Sequence, residues 1–325
     1  MHKLQFIAEF CQNHNGKADT LARMIDAAAK AGATHGKIQH IYAADIAYRP
    51  QFEEGLTVDG VVKSIKRPYR PEFERLSGLE LSGKECRDFV RRCRDAGLIP
   101  MTTCFTRSAA KEIRDAGFEE VKVASYDCAS FPLLRELKSL FKRIVVSTGA
   151  TFDDELHHAV GLLRGHDFAL LHCVTIYPTP LDALNMARLS LLRRLAPMVG
   201  FSDHSLVERD GMWPAKIAVH LGAQIVERHF TILGPAETRD GPVSVKPEQV
   251  AELLAFAALP DVEQRKHLDA GCPQWQSAIG SETRAMSDAE LLNRDYYRGR
   301  FASRRQDSRD GRNMIFNWEE TPLPS

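Results

Sequence analysis

The stretch EVKVASYDCASFPLLRELKSLFKRIVVST, residues 120–148, contains the pattern that decides the fold. Two short apolar runs, 120–125 and 143–148, flank a segment of helical period that starts at Ser130, with Pro132 in its first turn. A strand, a helix and a second strand in this order form the βαβ unit of a parallel sheet. The stretch therefore predicts an α/β protein.

The same unit recurs from residue 5 onward. The eight predicted strands are 5–11, 35–41, 99–104, 120–125, 143–148, 168–173, 198–203 and 224–230. Helix starts are predicted at Ser82, in a capping box with Glu85, and at Thr106, Ser130, Thr151 and Pro247. Eight units in about 255 residues match a (β/α)8 TIM barrel, which typically has about 250. The alternative is a doubly wound open sheet, but its usual GxGxxG turn is replaced by CQNHNG at residues 11–16.

Two segments lie outside this repeat. Residues 42–80 are too long for a simple connection, so they are interpreted as an insertion over the top or side of the barrel. Residues 260–325 are polar and rich in arginine, which is typical of an extension that packs on the barrel or on a partner subunit. The expected organisation is a catalytic barrel at 1–259 with an insertion at 42–80, followed by a C-terminal extension at 260–325.

Composition and charge exclude several classes of protein. The 325 residues carry 43 basic and 43 acidic side chains, so the chain lacks the positive field that nucleic-acid binding requires, and a small substrate is expected. Seven cysteines, without a CxxC pair, argue against a disulfide framework and favour a reducing, cytoplasmic location. No apolar run approaches the roughly 18 residues of a membrane span.

Polar side chains end almost every predicted strand, as they do in barrel enzymes. His204 and His229 end neighbouring strands, which lie about 4.8 Å apart. Two imidazoles at such positions can bind one divalent ion and leave coordination positions open for water and substrate. Glu227 is expected on the same strand face as His229. This pair is the predicted metal site.

Lys37 and Lys122 lie inside strand patterns, where burial is costly unless the ammonium group meets an anion. Two alternatives remain open: the lysine heads reach solvent, or they pair with Glu9 or Asp127. Hydroxyl groups on neighbouring strands would complete an oxyanion or phosphate cradle. They belong to Thr103, Ser125 and Ser147.

The chain resembles the sialic acid synthase family over roughly residues 5–257. The motifs that carry the resemblance are FIAEFCQNHNG (6–16), GKIQ (36–39), VKVAS (121–125), VVSTG (145–149), LLHCVTIYPTP (170–180), GFSDHS (200–205) and GAQIVERHF (222–230). Members of that family condense phosphoenolpyruvate with an N-acylated amino sugar aldehyde, using a divalent metal. The products are a nine-carbon nonulosonic acid and phosphate, and the fold is a (β/α)8 barrel.

The resemblance implies a role for each matching residue. The implied catalytic residues are Glu9, Lys37, Lys122 and His229, and the implied metal ligands are His204 and His229. Substrate contacts are implied for Gln39, Thr103, Ser125, Asp127, Ser147, Thr175, Tyr177 and Asp240, of which Gln39, Tyr177 and Asp240 are placed toward the sugar. The implied metal is Mn²⁺, with Mg²⁺ or Co²⁺ as alternatives, and the implied partners are phosphoenolpyruvate, an N-acetylmannosamine-like aldehyde and a second copy in a homodimer.

The chain also departs from the family pattern. Thr175 stands where asparagine is usual, Cys104 where proline is common, and Asp127 where glutamate is usual. Residues 301–311, FASRRQDSRDG, resemble only the opening strand of the family's antifreeze-like domain, so no complete domain of that kind is expected at 260–325. Instead, the insertion or a tail arginine is expected to close a barrel mouth, its own or a partner's. The candidate arginines are Arg298, Arg300 and Arg304.

Two other functions are compatible with histidines at a barrel mouth. A metal-dependent sugar isomerase or epimerase could use them, although it would usually need more carboxylate ligands and has no use for two strand lysines. A non-catalytic homologue that binds sugar is the other alternative. The retention of the predicted metal and anion positions favours the synthase.

Overall fold

The computed structural model describes residues 3–324, which form a closed barrel of eight parallel strands surrounded by helices. The strands are β1 (Gln5–Cys11), β2 (His35–His40), β3 (Leu56–Val58), β4 (Val61–Ser64), β5 (Ile99–Cys104), β6 (Glu120–Val123), β7 (Arg143–Ser147), β8 (Asp167–His172), β9 (Met198–Asp203), β10 (Ile225–His229), β11 (Ser303–Arg309) and β12 (Arg312–Ile315). Around the barrel the order is β1-β10-β9-β8-β7-β6-β5-β2. The predicted (β/α)8 barrel is confirmed.

Helices connect the barrel strands and cover the outside of the barrel. They are α1 (Ala18–Lys30), α2 (Tyr69–Ser77), α3 (Gly83–Asp95), α4 (Ala109–Asp115), α5 (Phe131–Leu140), α6 (Asp153–Leu163), α7 (Arg188–Arg193), α8 (Val207–Asp210), α9 (Trp213–His220), α10 (Pro247–Ala257), α11 (Asp261–Gly271) and α12 (Asp288–Tyr297). Apolar residues on alternate positions of β1, such as Phe6 and Phe10, pack outward against α1 and α3. None of the helices within residues 3–324 has the length and apolar character that crossing a bilayer requires.

Most predicted element ends agree with the structure, and the exceptions have local causes. The capping box of Ser82 and Glu85 begins α3, and Pro247 opens α10. The strand predicted at 120–125 stops at Val123 because Ser125–Asp127 form a 3₁₀ turn. The helix start predicted at Thr106 is wrong, since α4 begins at Ala109.

The helix starts predicted at Ser130 and Thr151 lie at or near the starts of α5 and α6, but neither hydroxyl caps its helix. Ser130 directly precedes α5, but its hydroxyl donates to Asp127 Oδ1 at 2.9 Å instead of accepting from the helix. Thr151 lies before the start of α6, and its hydroxyl donates to the carbonyl oxygen of Ser125 at 3.1 Å. The Ser130 hydroxyl therefore stabilises the loop after β6, and the Thr151 hydroxyl connects the loop after β7 to it.

The barrel interior has an apolar floor. Its side chains come from β1, β5, β7, β8 and β10 and are those of Ile7, Met101, Val145, Ala169, Leu171 and Ile225. Because side chains alternate along each strand, the next inward position of β1 after Ile7 is Glu9, and the next inward position of β10 after Ile225 is Glu227. The polar layer above the floor is thus a consequence of strand register.

The insertion and the C-terminal extension contact each other across the barrel mouth. The insertion contains the hairpin β3–β4 and α2, and the extension contains α12 and the hairpin β11–β12. Ile46 pairs with Phe301 in an antiparallel bridge, and the amide of Ala302 donates to the carbonyl oxygen of Asp45 at 2.9 Å. Near the other end of the extension, Leu268 and Trp275 pack in one cluster with Phe201 of β9. The extension therefore packs on its own barrel.

A buried ion pair joins Asp203, the last residue of β9, to Arg228, the next-to-last residue of β10. Arg228 is completely buried, and its Nη1 lies 3.0 Å from Asp203 Oδ2. Its Nη2 donates to the carbonyl oxygen of Ser205 at 2.9 Å. Because Asp203 precedes His204 and Arg228 precedes His229, this pair holds the two strand ends that carry the predicted metal ligands.

We predict that Arg228→Leu lowers the free energy of unfolding by about 3–5 kcal/mol, because it leaves the Asp203 carboxylate buried without its partner. Urea denaturation followed by circular dichroism measures this change. The matched control is Arg70→Leu, which breaks an exposed pair with Glu74 and should cost less than about 1 kcal/mol. Equal stability of the two variants would contradict the assigned role.

Candidate active site

A cavity of about 490 Å³ opens at the C-terminal ends of the barrel strands. All the site residues predicted from the sequence line it, with the exception of Thr175. They are Glu9, Lys37, Gln39, Thr103, Lys122, Ser125, Asp127, Ser147, Tyr177, His204, His229 and Asp240. The closed barrel brings together side chains from the whole length of the chain because every strand ends at the same mouth.

Thr175 lies behind the cavity wall. Its side chain is fully buried, and its Oγ1 has no hydrogen-bond partner. Its carbonyl oxygen accepts a hydrogen bond from Asn293 Nδ2 at 2.7 Å, and Asn293 of α12 lines the cavity. The side-chain amide on this wall therefore belongs to Asn293 of the extension. Sequence reasoning missed this residue because residues 260–325 carry no βα pattern.

Lys37 lies in the centre of the polar layer. Its ammonium group pairs with Glu9 of β1, donates to Thr103 Oγ1 at 3.0 Å and lies 3.7 Å from Glu227 Oε2. The register pairs Glu9 with Lys37 on adjacent strands, so the contact is built into the barrel. Of the open alternatives, pairing with Glu9 is the one observed. Lys37 is only 2% exposed, so its head does not reach solvent.

Lys122 occupies the corresponding position on the opposite side of Glu227. Its Nζ donates to Ser147 Oγ at 2.7 Å and lies 3.4 Å from Glu227 Oε1. Ser202 donates to the same Glu227 oxygen at 2.8 Å. Glu227 thus lies between the two lysines. The alternation of side chains along β10 predicted that Glu227 lies on the same face as His229, but it did not identify the two lysines as its partners.

The buried lysines and Glu227 of this layer shift one another's pKa values. Burial lowers the pKa of Lys37 to about 7, an effect that Glu227 opposes and Lys122 reinforces. Burial would raise the pKa of Glu227, but Lys122 and Lys37 together hold it well below its usual value. Glu227 is consequently ionised at neutral pH, while Lys37 is close to the midpoint of its titration. A bound anion would favour the protonated form of Lys37.

Asp127 is not paired with either lysine. Its Oδ1 accepts hydrogen bonds from Ser130 Oγ at 2.9 Å and from Asn317 Nδ2 at 3.0 Å. Burial raises its pKa to about 6, although the Asn317 contact opposes this shift. Asn317 belongs to the C-terminal extension, so Asp127 connects the extension to the loop after β6.

The two predicted metal ligands lie side by side. The ring centroids of His204 and His229 are 5.9 Å apart. The Nδ1 of His204 lies 3.3 Å from the carbonyl oxygen of Val174, which leaves Nε2 as the acceptor for the Tyr177 hydroxyl at 3.0 Å. Burial, reinforced by His229, lowers the pKa of His204 to about 3, and burial also lowers the pKa of His229. Both imidazoles are therefore neutral, as metal ligation requires.

His229 has an unsatisfied nitrogen. Its Nδ1 is buried without a hydrogen-bond partner and lies 3.8 Å from Asp240 Oδ2. This unpaired nitrogen is available to bind another group, such as a metal ion. The donor set and this unpaired nitrogen fit a divalent metal at the His204–His229 pair.

Cys11 also faces this part of the cavity, which sequence reasoning did not anticipate. Its Sγ lies in a group with a His229 nitrogen and an Asp240 oxygen, all within 4.8 Å of one another. Burial, together with the nearby Asp240 carboxylate, raises the pKa of the Cys11 thiol well above its usual value. The only available signal was its position as the last residue of the first predicted strand.

The outer part of the cavity is rich in arginine. Glu72 of α2 accepts from Arg75 Nη2 at 2.8 Å, pairs with Arg300 and lies 3.8 Å from Arg239 Nη1. Burial would raise the pKa of Glu72, but Arg75, Arg300 and Arg239 hold it at about 2. Arg67 lines the same region.

Of the three candidate tail arginines, Arg300 lines the cavity, and it does so in its own barrel. The other two lie elsewhere. The Arg298 guanidinium lies 5.1 Å from the centre of the Trp318 ring, and Arg304 Nε lies 3.3 Å from Asp45 Oδ1.

The seven cysteines, all within the described residues, are free and buried.

Comparison with known proteins identifies relatives along most of the chain. The family model described as NeuB matches residues 24–263. The spore coat polysaccharide biosynthesis protein SpsE of Bacillus subtilis is 28% identical over 303 residues, covering 91% of this chain and 78% of SpsE. The N,N'-diacetyllegionaminic acid synthase of Campylobacter jejuni is 26% identical over 267 residues, covering 78% of this chain and 75% of the synthase.

A solved structure extends the similarity to three dimensions. The N-acetylneuraminic acid synthetase of Leptospira borgpetersenii, determined in complex with citrate, matches with a TM-score of 0.67 and 25% sequence identity, covering 90% of each chain. The predicted resemblance to sialic acid synthases is thereby confirmed, as is the prediction of a synthase-type enzyme. The chain belongs to the NeuB family.

Proposed function

We propose that this protein condenses phosphoenolpyruvate with the open-chain aldehyde of an N-acylated amino sugar, producing a nonulosonic acid and phosphate. One observation carries the proposal: Lys37 and Lys122 are buried in the same cavity as the neutral pair His204 and His229. Two of the similar proteins are named as synthases of such acids, which supports the reaction type.

The inner part of the cavity suits phosphoenolpyruvate, whose carboxylate and phosphate carry two or three negative charges. Lys37 and Lys122 provide the cations, and Thr103 and Ser147 provide hydroxyl groups that already contact the lysine heads. Charge-assisted hydrogen bonds to these groups would offset the charge that builds up on the phosphate as it leaves. Ser125, at the mouth of β6, adds a further hydroxyl.

Binding of this anion would change the contacts of Glu9. In the structure Glu9 pairs with Lys37 and accepts from the amide of Cys11 at 2.8 Å. When Lys37 turns to the ligand, one Glu9 oxygen becomes available to orient a sugar hydroxyl or to move a proton. Gln39, Tyr177 and Asp240 line the region toward which the sugar is proposed to lie.

The bonds made and broken follow from the two substrates. C3 of phosphoenolpyruvate forms a bond to the aldehyde carbon, and the aldehyde oxygen takes up a proton. Water adds to C2, and the bond between C2 and the phosphate oxygen breaks, leaving a 2-keto acid and inorganic phosphate. His204 and His229 would hold a divalent metal, which when bound supplies a Lewis acid for the aldehyde oxygen. Mn²⁺ ahead of Mg²⁺ or Co²⁺ stays a prediction, as does the homodimer.

We expect phosphate release to require phosphoenolpyruvate, a sugar aldehyde and a divalent ion together. A coupled phosphate assay with a panel of amino sugar aldehydes tests this, since an isomerase or epimerase would leave phosphoenolpyruvate unchanged. A chelator should abolish turnover, and Mn²⁺ should restore it. His229→Ala should lose both metal binding and turnover, whereas the control His158→Ala alters an exposed histidine of α6 and should retain both. Full activity of chelated protein would overturn the metal assignment.

Lys37→Met should raise the KM for phosphoenolpyruvate by at least about tenfold near pH 6, because it removes a charge-assisted contact of roughly 1.5–3 kcal/mol. The pKa of Lys37 is about 7, so the wild-type lysine carries its charge below this pH and loses it above. Glu9, Glu227 and Lys122 face Lys37 in both states.

The KM of Lys37→Met for phosphoenolpyruvate, divided by the KM of the wild type, should therefore shrink as the pH rises through about 7 toward 8. Taking this ratio cancels the titration of the substrate's own phosphate, which is common to both proteins. Steady-state kinetics at constant ionic strength provide the measurement. A ratio that stays constant over this range would show that Lys37 does not titrate in contact with the ligand.

Arg300→Ala should raise the KM for the sugar aldehyde about threefold to tenfold while leaving the KM for phosphoenolpyruvate unchanged, because Arg300 lines only the outer part of the cavity. The control is Arg309→Ala, which alters an exposed arginine of β11 in the same extension. Melting temperatures of both variants show whether loss of the Glu72 contact unfolds the extension. An equal rise in both KM values would contradict a role at the sugar end.

A further inference from the structure

A third element brings a metal-ligating side chain to the histidine pair. Cys11 ends β1, which is paired with β10 in a register that sets Glu9 opposite His229. The Cys11 Sγ, a His229 nitrogen and an Asp240 oxygen all lie within 4.8 Å of one another. Within residues 3–324 this is the only group of three such side chains with that spacing.

The unpaired nitrogen of His229 is independent evidence for a ligand at this place. His229 is 9% exposed, and its Nδ1 finds no hydrogen-bond partner. The nearest carboxylate oxygen, Asp240 Oδ2, is 3.8 Å away, which is too far for a hydrogen bond. A metal ion between these groups would satisfy the nitrogen and the carboxylate together.

We propose that Cys11 is a metal ligand, and that its thiolate binds the divalent ion together with His229 and Asp240, next to His204. The thiol loses its proton to solvent when the metal binds. The inference rests on the metal site of the proposed function but not on the identity of either substrate. It assigns a sulfur ligand to a site that the sequence predicted to be made of two imidazoles.

The sulfur ligand also bears on which ion is bound. Thiolate and imidazole ligands suit Fe²⁺, Co²⁺ and Zn²⁺, whereas Mg²⁺ and Mn²⁺ favour sites made of oxygen atoms. The inference therefore ranks Co²⁺, Fe²⁺ or Zn²⁺ above Mn²⁺ in affinity, and Mg²⁺ last. This order differs from the one that the family resemblance implied.

Cobalt provides a readout that does not depend on turnover. Metal-free protein is titrated with Co²⁺ while the absorption spectrum is recorded, because a thiolate ligand produces a charge-transfer band in the near ultraviolet. We expect this band in the wild type and its loss in Cys11→Ser and Cys11→Gly. Cys173→Ser is the matched control, since Cys173 lines the same cavity outside the cluster, and it should keep the band.

Glycine is the more informative replacement. Cys11 has a φ of 45°, a left-handed backbone conformation that glycine adopts without steric cost. Cys11→Gly should therefore fold, as circular dichroism can verify, while its affinity for Co²⁺ falls at least about tenfold. Its affinity for Mn²⁺ should change by a smaller factor, measured by competition against a chelating dye.

The possible outcomes separate this inference from the proposed function. If Cys11→Gly keeps the band and the Co²⁺ affinity of the wild type while His229→Ala loses binding, Cys11 is not a ligand and the metal site of the proposed function stands. If His229→Ala binds Co²⁺ as tightly as the wild type, both assignments fail. Loss of the band in Cys11→Gly with retention in Cys173→Ser supports the inference.

Discussion

Two lysines and two glutamates share the interior of a closed barrel, and the site depends on how these charges neutralise one another. An ionised group moved from water into a protein interior costs several kcal/mol unless a partner compensates. Here Lys37 pairs with Glu9, and Glu227 lies between Lys37 and Lys122. The apolar floor below offers these groups no polar contact, and their positions follow from strand register. The carboxylates compensate the lysines without a ligand, and under the proposed function each lysine exchanges a carboxylate for the incoming anion.

The barrel itself could be predicted because each strand is a short apolar run that ends in polar residues. That pattern is local, and it located all eight barrel strands to within about two residues. The shape of the insertion and extension was not predictable, since it depends on contacts such as the bridge between Ile46 and Phe301. Such pairing over more than 250 residues of sequence has no local period. The failed helix start at Thr106 has a local cause, because a turn precedes α4.

The difference between local patterns and long-range contacts also explains which site residues sequence reasoning found. Side chains at strand ends, such as Lys122 and His204, are placed at the mouth by the barrel alone, and all of those predicted there line the cavity except Thr175. Asn293 and Arg300 reach the cavity only because the extension folds back over the mouth. Cys11 was at a strand end, but its proximity to Asp240 depends on the course of the loop after β10.

The cavity consequently has two parts with different origins. Its inner part is built by barrel strands, whose positions are fixed by hydrogen-bonded neighbours on both sides, and it holds the lysines and imidazoles. Its outer part is built by α2, α12 and the loop after β10, which meet through Glu72 and its arginines. Under the proposed function, a change in an outer arginine alters how the sugar is held without moving Lys37 or His229, because these arginines pair with Glu72 of α2. Under the proposed function, the barrel therefore sets the reaction type, and the segments that close it set the selectivity for the sugar.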